Sequence, residues 1–356
     1  DGSVEIVADG SNGVATIRTE ATKLPFITLL QPLWDITSAP DFVFANELTA
    51  RAGQPWFELH TEILYGAEVG DTPDDLQPGT SWDEPFPLIN WAIESGVVLG
   101  DFYLQGGSVD VFAPGIGFDE DGAVYESQQR GENTFNDPFQ FDYLAGVADG
   151  VSYGLAAAEG DLFIPLFTAS QTVAVGAAQD GDGSAQRFPA GTALSYDRYF
   201  FVGHGDVGSI VDQFVEARNI PYGTVEGFVT ERTTGDPLSG IDVFVYEPGA
   251  EKPWSQMETD IHPQDRSADG SFTGRLPVGT WELVAHERGR PRQDRLTVEV
   301  TEGKTTSVAL LAGRNGSLQF DVRDMRGRRI PSKVTIFPAD GTQASRDPVL
   351  GDGFIG

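Results

Sequence analysis

The chain has 356 residues, 40% of them apolar and 11% aromatic, with no cysteine and a formal net charge of −31 at pH 7. That apolar fraction is enough for packed cores and excludes a globally disordered chain. The lack of cysteine excludes disulfides, thiolate metal sites and a cysteine nucleophile. The charge is uneven: residues 1–220 hold 7 Lys and Arg against 34 Asp and Glu, a surface that repels phosphate backbones and disfavours nucleic acid as a partner.

High Gly and Pro content, 43 and 22 residues, with almost no helical periodicity favours many short strands. From Val4 to Leu30 the sequence alternates in strand fashion, and Trp34 and Phe42 to Phe44 continue the apolar pattern. The clearest strand of the first half is Ala52 to Tyr65, with Phe57, Leu59, Ile63 and Tyr65 on one face. Glu58, His60 and Glu62 fall on the other. A histidine flanked by carboxylates at i±2 on one sheet face can do acid–base work on a sugar, and the same spacing serves an ordinary half-exposed strand. Trp56, beside this trio, is a candidate stacking group for a saccharide, as are Trp82 and Trp91.

Residues 70–95 read as loop. Short strands are expected at Val97–Leu104, Val109–Phe112, Ala123–Glu126, Val151–Leu155, Leu162–Phe167 and Thr172–Val175. The aromatic run Phe135, Phe139, Phe141, Tyr143 suits core packing or a sugar platform. Gln179 to Ser184 places Asp180 and Asp182 at alternate positions, as in a calcium loop. It lacks a third acidic position, and Asp-Gly is also ordinary hairpin-tip chemistry. One helix is expected near 206–218. Asp206 can cap it, Val207, Ile210, Val211 and Phe214 stripe one face at i, i+3, i+4 and i+7, and Asn219 and Pro221 end it. A linker is expected near residues 219–223.

A second run of strands starts at Pro221. Val225, Gly227 and Val229 alternate with Glu226, Phe228 and Thr230; Ile241, Val243 and Val245 alternate with Asp242, Phe244 and Tyr246. Turns at Thr234–Pro237, Ala268–Ser271 and Thr301–Lys304 separate further strands, including one that carries Trp281. Arg288, Arg290, Arg292 and Arg295 cluster where they can meet the acidic first half or solvent. His262 and His286 read as structural or solvated. From Gly313 a new pattern begins, with a strand at Ser317–Val322, a turn at Asp324–Arg328 and a strand from Arg329 to Phe337.

Four motifs in order, Gly223–Val229, Gly235–Gly240, Asp269–Phe272 and Leu276–Leu283, resemble the carboxypeptidase-regulatory-like family. The resemblance implies a transthyretin-like sandwich that carries no chemistry itself. Val109 to Phe118, Ser152–Gly154 and the run from Phe188 to Asp206 look like a galactose-mutarotase-like supersandwich. The order of the two is similar to that in CehA/McbA-type metallohydrolases, secreted or periplasmic proteins that end in a PHP-type metal-dependent hydrolase domain. Asp321 to Ile336 resembles the stretch that follows the regulatory-like module there.

The expectation is therefore an all-β chain of tandem sandwiches. Its units are a supersandwich at 1–220, a transthyretin-like sandwich at 221–312, and the start of a further β domain at 313–356. No stretch reaches the roughly 20 apolar residues of a membrane span. No signal peptide is visible, and the module type suggests a secreted, periplasmic or cell-surface protein. The expected function is that of a non-catalytic N-terminal scaffold or binding region of a metal-dependent hydrolase. Its catalytic domain, which would carry the transition metal, lies outside this chain and is the expected partner. Alternatives are a carbohydrate-binding or carbohydrate-modifying protein and a structural surface module. Packing between the modules is expected to be modest and partly polar.

Overall fold

The computed structural model describes residues 2–21, 42–65, 110–118, 139–148, 150–168, 172–177, 193–261, 268–287, 290–291, 293–314 and 320–332. These residues form an all-β chain with one helix, as the sequence predicts. The largest sheet draws on β1 (Gly2–Asp9), β2 (Val14–Ala21), β3 (Phe42–Arg51), β4 (Trp56–Tyr65), β5 (Asp110–Phe112), β7 (Leu144–Ala148), β8 (Val151–Ala157) and β11 (Ala193–Gly203). Its order is β1-β2-β3-β4-β11-β8-β7-β5, and every neighbouring pair is antiparallel. A second sheet, of order β10-β9-β6, is made by β6 (Phe139–Phe141), β9 (Leu162–Thr168) and β10 (Thr172–Ala177). The two sheets share a cluster built from Val111, Leu144, Leu155 and Ala157 on one side and Phe141 and Leu162 on the other. Phe141 and Tyr143 are buried, so these two members of the aromatic run serve the core.

The opposite face of the large sheet is covered at one end by α1 (Gly208–Ala217). The predicted stripe is the buried one: Val207, Ile210 and Val211 are fully buried and Phe214 is 1% exposed. Asp206 Oδ1 accepts the Ser209 N–H at 2.9 Å, which satisfies one of the first-turn amides. At the other end Asn219 takes a left-handed φ of 53°, and the Ile220 N–H reaches back to Val215 O. Two glycines on the underlying strands let the helix lie close. A Cβ on Gly154 would sit 2.2 Å from Ile210 Cγ2, and one on Gly203 would sit 2.2 Å from Ser209 Oγ.

The chain enters β12 (Tyr222–Glu231) two residues after Ile220, so no extended linker separates the modules. The second sandwich pairs a β15-β12-β18 sheet with a β14-β13-β16-β17 sheet. The remaining strands are β13 (Asp242–Tyr246), β14 (Ser255–Glu258), β15 (Ser271–Pro277), β16 (Gly279–His286), β17 (Leu296–Val300) and β18 (Thr305–Ala312). All pairs are antiparallel except β12 with β18, which runs parallel. Alternation along β12 buries Val225 and Val229 and exposes Phe228, as the period of 2 requires. Gly227 is set by close packing, because a Cβ there would meet the Val308 carbonyl oxygen at 2.4 Å.

The packing between modules departs from the expectation of a modest, partly polar contact. One buried apolar cluster runs from Trp56, Phe112 and Phe201 through Ile210 and Phe214 into Met257, Trp254, Trp281 and Leu283. Phe244, on the face of β13 opposite Val243 and Val245, is 8% exposed, with the ring of Phe118 from the first module packed against it at a centroid distance of 6.3 Å. Directional bonds fix this seam: Tyr143 Oη donates to Trp254 O at 2.7 Å, Trp254 Nε1 donates to Asp142 Oδ2 at 3.1 Å, and Gly115 N donates to Pro253 O at 2.9 Å.

Beyond β18, residues 320–332 contain a turn at Asp324–Arg328, as predicted. Among the described residues there the only β-bridge joins Arg323 and Arg329; residues 317–319 and 333–337 of the two predicted strands lie outside the described residues. No helix among the described residues is long and apolar enough to cross a membrane.

Candidate functional site

Alternation along β4 puts Glu58, His60 and Glu62 on one face of the large sheet, the face that α1 covers only at one end. Neighbouring strands add to that face in register: Glu47 of β3 and Asp197 of β11 stand on either side of His60. His60 Nδ1 lies 2.8 Å from Asp197 Oδ1. Their side chains are 38% and 65% exposed, so this is an open pair at the surface.

Two arginines occupy the surrounding carboxylates. Arg18 on β2 donates to Glu47 Oε1 at 2.8 Å, to Glu20 Oε1 at 3.1 Å and to Glu62 Oε2 at 3.4 Å. These bonds, that to Glu47 foremost, raise the Arg18 pKa above its ordinary range. Arg51 bonds both oxygens of Glu58 at 3.0 Å. Tyr199, in register with Glu58, has its phenol pKa raised by partial burial and then by the nearby Glu58 and Asp197 charges. The result is a grid of alternating charge with one histidine–aspartate pair in it. It offers donors and acceptors to a polar ligand laid across the sheet, and both carboxylates flanking His60 along β4 sit against guanidinium groups.

Trp56 shares the parity of Glu58 but not its surroundings. It is 8% exposed, lies in the core beneath α1 and packs edge-on against Tyr199 at 6.4 Å. It is therefore a core residue, unable to stack on a sugar. Trp82, Trp91, Asp180, Asp182 and His262 lie outside the described residues. His286 closes β16 with its ring 5.5 Å from Phe244. Of the arginine cluster, Arg295 lies over the Tyr246 ring at 3.5 Å and bonds Glu282 at 3.1 Å, and Arg290 bonds Gly313 O at 2.7 Å. These bonds are made outside the first module, although Arg295 also lines a cleft with Ile116, Gly117 and Phe118 of that module; Arg288 and Arg292 lie outside the described residues. Among the described residues no group of three or more His, Asp or Glu can hold a metal ion.

Sequence spacing alone misses Asp197, Arg18 and Arg51, because strand pairing brings them in from elsewhere in the chain. It also misses Arg198, which points to the other face of β11 and is fully buried. Arg198 donates to Thr61 Oγ1, and burial pushes its guanidinium down to about 9.

No protein-family model matches the chain, and no curated protein matches it. Solved structures similar to it include the galactose 1-epimerase of Lactobacillus acidophilus, at 4% identity and TM-score 0.30, covering 57% of this chain and 67% of that one. The minor pilin GBS52 of Streptococcus agalactiae aligns at 13% identity and TM-score 0.22, over 62% of this chain and 87% of its own. A DUF3823 family protein from Parabacteroides merdae aligns at 21% identity and TM-score 0.20, over 26% of this chain and 46% of its own, so the match spans under half of that protein. These likenesses concern β architecture only and carry no argument about activity.

Proposed function

We propose that this chain is a non-catalytic scaffold, two β modules held in one fixed orientation. The observation that supports it is the single buried cluster that passes from the large sheet through α1 into the second sandwich. A flexible tether between modules would need solvated, weakly packed junction residues, whereas Phe214, Trp254 and Met257 are all buried here. The absence of cysteine makes the test direct. Spin labels placed on introduced cysteines at the exposed Glu5 and Glu302 should give one narrow distance distribution; a broad or two-peaked distribution contradicts the scaffold.

The finer reading is that the scaffold positions a PHP-type metal-dependent hydrolase domain in an exported parent protein. The order of the two sequence resemblances supports it. An H-x-H pair with further His and Asp ligands in the native reading frame after Gly356 would bear it out, and their absence would remove it.

A second reading, carbohydrate binding, is favoured by the open His60–Asp197 pair within the charge grid. Glycan-array binding that disappears in His60→Ala and Asp197→Asn supports it; a blank array for the wild type retires it.

A further inference from the structure

Alternation along β13 and β16 turns Val243, Val245 and Leu283 into the second sandwich and leaves Phe244, Tyr246, Val284 and His286 on the outer face of their sheet. The outer face of an antiparallel sheet is normally polar, so this apolar strip needs a cover. Phe118 of the first module packs on Phe244, and the Arg295 guanidinium lies over the Tyr246 ring at 3.5 Å. Beside these two covers a cleft of about 550 Å³ stays open, with all four strip residues and Phe118 in its wall. Ligand sites favour such junctions between modules and are largely pre-formed. Here the bond from Gly115 N to Pro253 O ties the turn before Phe118 to the loop that carries Lys252, so the seam itself sets the shape of the cleft.

The second observation is charge. Among the described residues, Lys252 and Arg295 line the cleft against Glu251, a local excess of cations on a chain of net charge −31. Arg295 is held in place: Nη1 donates to Ala250 O at 2.6 Å and to Glu282 Oε2 at 3.1 Å, and the Tyr246 ring fixes the plane of the guanidinium. Glu282 offsets part of its charge. Nε and Nη2 donate to no described residue, and together they form the bidentate edge that matches a carboxylate. Rings beside such an edge select a ligand that is flat and apolar at one end and anionic at the other.

We propose that this cleft binds a small aromatic carboxylate, its ring among Phe118, Phe244 and Tyr246 and its carboxylate on Arg295 and Lys252. The cleft needs both modules in place, and the spin-label distances test that separately. Isothermal titration of the full chain uses three probes: 3-phenylpropionate, its neutral twin 3-phenylpropan-1-ol, and its saturated twin 3-cyclohexylpropionate. Saturable binding of 3-phenylpropionate is expected, with each twin weaker by about ten-fold, one for the lost charge-assisted hydrogen bond and the other for the lost ring contacts.

Two variants locate the site. Arg295→Gln removes the bidentate edge, and Lys252→Gln removes the second cation from a surface loop. Each should weaken 3-phenylpropionate by about ten-fold and leave 3-phenylpropan-1-ol nearly unchanged. If Arg295→Gln fails to fold, Lys252→Gln decides alone. Absence of saturable 3-phenylpropionate binding overturns the proposal. So does either twin binding as tightly as 3-phenylpropionate, or 3-phenylpropionate binding that the folded variants leave unchanged.

Discussion

A methyl group added to Gly154 would meet Ile210 at 2.2 Å, closer than any relaxed contact, so β8 can lie under α1 only as glycine. Gly154→Ala should therefore destabilise the protein by roughly 1–3 kcal/mol through overpacking, read as a lower midpoint in urea at unchanged slope. The same scale shows what local spacing can and cannot reveal. The trio Glu58, His60, Glu62 was legible because strand parity is a property of neighbouring residues. The partner of His60 was not, since Asp197 lies 137 positions away and only the β4–β11 register brings it near. Trp56 shows the limit of parity itself: it lies on the same sheet face as Glu58, yet α1 covers that end and leaves the other open. Which stretch of a face is covered depends on an element 150 residues downstream.

At the scale of elements, α1 is the joint. Its inward stripe faces the large sheet and the second sandwich together, and its polar side carries Asp212. Burial foremost pushes the Asp212 carboxyl up to about 6; Asp206 and Glu216 add to the rise and Arg275 opposes it. The sign follows from proton binding. Between the ordinary value of 3.8 and about 6 the folded protein holds more protons than the unfolded chain, so stability falls as pH rises through this window. The loss is complete above it and absent below it. Asp212→Asn should remove that component, and the difference between wild-type and variant stabilities, measured by urea unfolding from pH 3 to 8, should change sharply between about pH 4 and 6. A flat difference curve would mean that Asp212 titrates normally.

Phe214→Ala, which empties the centre of the joint, should cost about 3–5 kcal/mol. The helix itself was readable from its stripe of four apolar residues and its Asn219 stop. That its stripe would bind two modules at once was not readable, because periodicity identifies a buried face without saying what buries it.

For the molecule as a whole, the alternation and turn chemistry of residues 221–312 sufficed to outline the strands of a sandwich, although β12 pairs with β15 and β18, neither of them its neighbour in sequence. Residues 1–220 yielded strands but no sheet order. The central strand β11 is flanked by β4 and β8, and no short-range signal encodes pairings over such distances. The seam between modules was underestimated for a related reason: Phe244 and Trp254 look like residues of one sandwich, and only the fold reveals that Phe118 and Tyr143 of the other module complete their packing.

The claim that joins these scales is that the two modules share one core. Differential scanning calorimetry of the intact chain tests it most directly. A single endotherm whose calorimetric and van't Hoff enthalpies agree, and which Phe214→Ala moves as a unit to lower temperature, is the predicted result. Two resolved endotherms, only one of them shifted by Phe214→Ala, would contradict it.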